Sequence, residues 1–200
     1  MKNESKKERL LFITNIDYFL LSHRLPIVRE AIKQGYEVHL ATKKTSYSRE
    51  IESYGVVVHP IRISRSGLNP GDIFKTCLDI FHVIKRINPK IVHLVSIKPV
   101  LLGGLVLYLM KKKPFIVAAV SGLGYVFTTP GIKNLFIKIS TLLLYKISLN
   151  HKGLFCIVQN QDDFQFIKMI SSIDHKNILL IPGSGVDVSL FTPQKANKKK

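Results

Sequence analysis

Seven short apolar runs, each nearly continuous and rich in β-branched residues, alternate along the chain with segments of helical periodicity. The runs occupy 10–14, 37–41, 56–60, 91–95, 115–120, 154–158 and 178–181. A strand with one wet face alternates apolar and polar residues, whereas an unbroken run is expected where helices cover both faces of a sheet. Helical patterns fill the intervals at 22–34, 47–54, 70–87, 99–110, 132–150 and 161–171. Gly35 stands where a helix end needs a left-handed residue, and Gln161-Asp162-Asp163 places acids in a first turn. Strand–helix alternation of this kind predicts an α/β domain built on one parallel, doubly wound sheet.

Ligands of such a sheet bind beyond the carboxyl ends of its strands, which directs attention to the loops at 15–22, 96–99, 121–131, 159–162 and 183–187. The first loop, Thr14 to Pro26, contains no glycine. That argues against the Gly-x-Gly-x-x-Gly turn through which backbone approaches a dinucleotide pyrophosphate, and so against an oxidoreductase or methyltransferase of that type. The loop instead offers Asn15, Asp17, Tyr18, Ser22, His23 and Arg24, hydrogen-bonding groups suited to sugar hydroxyls with a cation for phosphate. A structural alternative, compatible with the first, makes Ser22 a helix cap with His23 and Arg24 in the first turn. Gly122 and Gly124, after Ser121, permit a tight turn with amides facing an anion, or serve only as a turn. Gly183 and Gly185, ahead of Asp187, form a second glycine turn at a late strand.

These residues divide into a hydroxyl-binding set, Asn15, Ser22, His23 and Arg24, and a cleft set, Ser121, Gly122, Gly124, Gly183, Gly185 and Asp187. No residue is assigned as the catalyst. His23 is the one candidate, being the only histidine in a loop of this kind. Those at 39, 59, 82, 93, 151 and 175 lack metal-ligand spacing, and no metal is expected. His39, His59 and His93 fall in strands and read as satisfied core or strand-end residues.

With 46% hydrophobic and 22% charged residues, the 200-residue chain is globular in composition. Thirty Lys and Arg against 13 Asp and Glu give a net charge of +17, which favours anionic partners. Nucleic acid fits poorly, because no helix concentrates arginine and no strand face interleaves aromatic with basic residues. Residues 1–8 and 194–200 read as basic, disordered tails around a domain at 9–193. The apolar runs at 99–110 and 135–149 fall short of the roughly 20 residues that a membrane span needs. The segment from Ile132 reads either as a core helix or as an interfacial helix whose lysines meet anionic headgroups, with Lys111 to Lys113 as a further basic patch. The charged N-terminus shows no secretory pattern, and Cys77 and Cys156 suit a reduced compartment.

The ordered set of segments resembles the N-terminal domain of family 4 glycosyltransferases, retaining enzymes with two facing Rossmann-like domains (the GT-B fold). The resemblance covers residues 9 to 193. It rests on Asn15 with Phe19-Leu-Leu-Ser-His-Arg-Leu-Pro26, on Gly35-Tyr-Glu-Val38, and on Ile91-Val-His-Leu94 with Lys98-Pro99. Ser121-Gly-Leu-Gly-Tyr-Val-Phe127, Val158-Gln-Asn160 and Ile181-Pro-Gly-Ser-Gly-Val-Asp187 complete it. The nearest likeness is to the subgroup that extends lipid-linked sugars for surface polysaccharides.

The resemblance implies an acceptor-binding domain that works with a nucleotide-sugar donor and a lipid-linked glycan acceptor, without a cofactor or metal, at the cytoplasmic face of the membrane. It implies that Ser22, His23 and Arg24 lie near a phosphate and Gly122 and Gly124 near the reacting centre. The family's paired glutamates and donor contacts belong to a C-terminal domain outside this sequence, supplied by a longer gene product or a separate chain. The 200-residue chain alone is therefore expected to fold without appreciable transferase activity.

Overall fold

The computed structural model describes residues 7–64, 69–122, 132–183 and 185, with side chains described outside 132–137. Seven parallel strands form one sheet in the order β3-β2-β1-β4-β5-β6-β7. They are β1 (Arg9–Ile13), β2 (Glu37–Thr42), β3 (Val57–Pro60), β4 (Ile91–Val95), β5 (Phe115–Val120), β6 (Phe155–Val158) and β7 (Ile178–Leu180). Each falls on one of the expected runs, with ends shifted by at most one residue. The chain travels one way from β1 through β3, then crosses back to β4 and continues the other way. Right-handed crossovers in opposite directions put their helices on opposite faces.

The two apolar layers follow from this path. Leu10, Phe12, Val38 and Leu40 pack under α1 (Tyr18–His23), α2 (Leu25–Lys33) and α3 (Ser48–Ser53). Leu11, Ile13, Val92, Leu94, Ile116, Ala118, Cys156 and Val158 point the other way. Over them lie α4 (Pro70–Ile87), α5 (Ile97–Leu109), α6 (Ile132–Ser148) and α7 (Gln161–Ile170). Burial on both faces is why the inner strands read as continuous apolar runs, whereas the edge strands β3 and β7 are largely exposed.

Local signals set the helix ends. The Gly35 amide bonds Ile32 O at 2.9 Å and the Tyr36 amide bonds Ala31 O at 3.0 Å, closing α2 with Gly35 at φ +89°. Helix α7 starts at Asn160, whose side chain accepts from the Asp163 amide. Helix α5 is buried almost all round and approaches its neighbours closely at Gly103 and Gly104. A Cβ on Gly104 would lie 2.6 Å from Ser148 Cβ.

Two helix starts differ from expectation. The first helical segment begins at Tyr18, because Asp17 and not Ser22 caps it, and it breaks at Arg24 (φ −129°, ψ −2°) just before Pro26. Helix α5 begins at Ile97, since Pro99 sits in its first turn, where a missing N–H leaves no bond unmade. The strand histidines also divide. Arg86 Nη2 lies 2.8 Å from His59 Nδ1, and His59 Nε2 lies 3.0 Å from His39 Nδ1. As arginine only donates, His59 carries its proton on Nε2 and passes a hydrogen bond to His39. His93, by contrast, is buried with no hydrogen-bond partner on Nε2.

Candidate functional site

The direction of the chain reverses between β1 and β4, and the loops that follow these strands meet there. Asn15 Nδ2 donates to Ser96 Oγ at 2.9 Å, bridging elements 81 residues apart. Asn15 Oδ1 is buried without a hydrogen-bond partner. Ser96 holds φ +77° and ψ +168°, a region that L-residues other than glycine seldom enter. Its amide bonds Ala119 O at 3.0 Å and its carbonyl accepts from Val100 N at 3.1 Å, so the strain is pinned from both sides. A polar group short of a partner beside a strained residue marks this crevice as built for something other than stability.

Asp17 holds the first loop in place. Its carboxylate accepts from the Tyr18 amide (2.9 Å), the Thr45 amide (2.7 Å) and hydroxyl (2.7 Å), and the Ser48 hydroxyl (2.6 Å). Burial by itself would raise this carboxyl, but the hydrogen bonds from Ser48, Thr45 and Tyr18 outweigh it and hold it below the usual range. Asp17 thus ties the β1 loop to the β2 loop and has no lone pair to spare for a substrate proton.

Ser22 and His23 lie exposed in the last turn of α1. Ser22 Oγ donates to Tyr18 O at 2.9 Å and also contacts His23 Nδ1. One hydroxyl has one proton, so Nδ1 carries the hydrogen of that second bond and Nε2 keeps a lone pair. The ring packs on Phe19 with centroids 5.6 Å apart. His23 therefore offers an acceptor to a ligand hydroxyl from a fixed ring. Arg24 turns inward: Nη1 bonds His23 O at 3.0 Å, and burial weakens the guanidinium's hold on its proton. It also adds to the burial that pushes the nearby His93 down to about 3.

The glycine turns are arranged less simply than their spacing suggests. Gly122 adopts φ +75°, yet its amide donates to Asp163 Oδ2 at 3.3 Å, and Asn160 Nδ2 reaches the same oxygen at 3.0 Å. The anion that the Gly122 amide faces is the protein's own carboxylate. Ser121 beside it is exposed. Gly183 and Gly185 hold φ +72° and +71° as their turn requires, with open space where a Cβ would stand. Gly124 and Asp187 lie outside the described residues.

On the α4–α5 side of the same strand ends, a cavity of about 430 Å³ is lined by Lys43, Arg62, Asp72, Lys75, Thr76 and Lys98, among others. Lys98 Nζ bonds Ser64 O at 2.8 Å, and Arg62 forms a two-pronged pair with Asp79. Burial lowers the Lys98 ammonium, with Asp72 opposing it in part. Periodicity hides this cluster, because its lysines come from three elements; only the Lys98-Pro99 pair pointed toward it. Ser96 was read only as part of a candidate loop and Asp163 only as a first-turn acid; the bonds of Ser96 to Asn15 and of Asp163 to Gly122 were not foreseen. Among the described residues, no group of three or more His, Cys, Asp or Glu could hold a metal ion.

Comparison with known proteins accords with this geometry. An N,N'-diacetylbacillosaminyl-diphospho-undecaprenol α-1,3-N-acetylgalactosaminyltransferase of Campylobacter jejuni is 24% identical over 192 residues, 96% of this chain and 50% of that one. A sucrose-phosphate synthase of Thermosynechococcus elongatus superposes with a TM-score of 0.64 at 13% identity, over 94% of this chain and 51% of that structure. A glycosyltransferase of Rickettsia africae gives 0.59 at 18%, over 88% and 43%. The chain thus spans about half the length of the curated relative it matches. The sequence model of the glycosyl transferase 4-like family matches residues 9–160, three quarters of the chain, and with the sheet order and crevice described above it places this protein in that family.

Proposed function

We propose that this chain is the acceptor-side domain of a retaining glycosyltransferase that moves a sugar from a nucleotide-sugar donor to a lipid-linked glycan. A C-terminal donor-binding domain, in a longer product or a separate chain, completes the cleft. The observation that carries the reading is the Asn15–Ser96 crevice, in a domain matched to the family from residue 9 to 160. Amide, hydroxyl and imidazole groups on a fixed loop suit sugar hydroxyls. The Campylobacter relative, by its name, acts on a saccharide linked through a diphosphate to undecaprenol, which supports an acceptor of that class. We place the paired carboxylates of the reaction in that donor-binding domain, and we read the chemistry as metal-independent.

A peripheral position on the cytoplasmic membrane face fits the surface. Ile139, Leu143 and Ile147 recur every fourth residue along α6 and are 47%, 58% and 39% exposed, with Lys146 beside them. An apolar stripe flanked by cations is suited to lie in a lipid interface. Among the described residues, no helix is long and apolar enough to cross a membrane.

Calorimetry with geranyl-diphospho-N-acetylglucosamine against geranyl diphosphate tests the reading. The sugar is expected to tighten binding, and Asn15→Ala or His23→Ala is expected to abolish that increment. No increment from the sugar, or sugar transfer catalysed by the chain alone, overturns it.

A further inference from the structure

We propose that the cavity lined by Lys43, Lys75 and Lys98 binds a diphosphate. Among the described lining residues, three ammonium groups face it with one carboxylate, Asp72, and Arg62 is paired with Asp79. The net excess of two positive charges matches a diphosphate bonded at both ends. The volume of about 430 Å³ is that of a small-ligand site. Asp72 sits in the first turn of α4, where the helix end favours its charge, so its presence does not require a cation from outside. The Lys98 ammonium is partly withdrawn from water and directed by Ser64 O, which gives it a defined position where a solvated surface lysine has none.

Location connects the cavity to the crevice. Lys98 lies two residues past Ser96, the residue that Asn15 grips, at the start of the same helix. Arg24, the obvious cation in the first loop, is less suited, since its guanidinium is turned onto His23 O and toward His93. The phosphate contact expected there from the sequence is thus transferred to the other sheet face. The inference rests on the transferase reading only for the source of the anion. A lipid-linked acceptor and a nucleotide-sugar donor both carry a diphosphate.

The test is calorimetry at low ionic strength on the 200-residue chain with inorganic pyrophosphate, geranyl diphosphate and UDP, with circular dichroism as the check on folding. Lys98→Met and Lys43→Met are each expected to weaken pyrophosphate binding tenfold or more, the size of losing one charge-assisted contact. Arg24→Met is expected to stay within threefold of the parent. If Lys98→Met does not fold, the exposed pair Lys43→Met and Lys75→Met carries the test. Tighter binding of geranyl diphosphate than of UDP would support the site and identify the acceptor as the source, and the reverse order would support it with the donor. No pyrophosphate binding by the parent, lysine variants that bind like the parent, or loss confined to Arg24→Met overturns the proposal. The effect of the acceptor's sugar is read separately, so the transferase reading can stand when this one falls.

Discussion

His93 makes the fold acid-sensitive by an amount that can be worked out. Its imidazole is buried beside Phe12, with ring centroids 5.1 Å apart, and burial together with Arg24 pushes it down to about 3. Unfolded, the same side chain titrates near 6.5. The folded state therefore does not take up a proton that the unfolded state binds once the pH falls below 6.5. Stability is unaffected above that value and is lost progressively as the pH falls toward 3. At about 1.4 kcal/mol per pH unit, going from pH 7 to pH 5 removes about 2 kcal/mol through this residue. For a chain of this size that is about 4–8 °C in Tm. His59, pushed down to about 4 chiefly by burial, adds in the same direction but is half-exposed and better screened. Replacing His93 by Phe keeps a flat ring against Phe12 and removes the proton site. Urea unfolding at pH 7 and pH 5 for both proteins isolates the effect, because other groups cancel in the difference. The parent is expected to lose about 2 kcal/mol more than His93→Phe over that interval. Equal losses would show that the buried imidazole is not held neutral, and the reasoning from its burial would fail.

Gly104→Ala is expected to destabilise by about 1–3 kcal/mol in urea titrations despite alanine's better helix propensity, because the new methyl meets Ser148 across the α5–α6 contact. At Ser96 the usual order inverts: Ser96→Gly is expected to be more stable than Ser96→Ala by about 1–2 kcal/mol in the same assay, since only glycine tolerates φ +77°. Equal stabilities would mean that the backbone there is relaxed. Leu143→Asp on the exposed stripe of α6 is expected to abolish cosedimentation with phosphatidylglycerol vesicles while leaving the thermal midpoint within about 2 °C; binding unchanged from the parent would remove α6 as the contact.

The inner strands β1, β2, β4 and β5 were legible because they are buried on both faces, so the apolar runs end where the strands end, as at Ile91–Val95 and Phe115–Val120. The helix at Gly35 was legible for a similar reason, since its closing bonds are local. What stayed hidden depends on pairing across distance. Asp17 looked available to a sugar hydroxyl, but Thr45 and Ser48, from the far side of β2, take its oxygens. Gly122 looked ready for an outside anion, but Asp163, 41 residues away, takes its amide. Lys43, Lys75 and Lys98 are unremarkable in sequence and gather only once β2, α4 and α5 are brought side by side. Local signals thus gave the frame and the loops, whereas long-range bonds decided which groups in those loops remain available.

The four bonds to Asp17 have a consequence for recognition kinetics. A ligand that settles on Asn15 encounters a segment whose backbone is already rigid, so it need not supply the entropy that a floppy loop would demand on capture. Discrimination among ligands should then show mainly as different residence times, with arrival rates nearly alike.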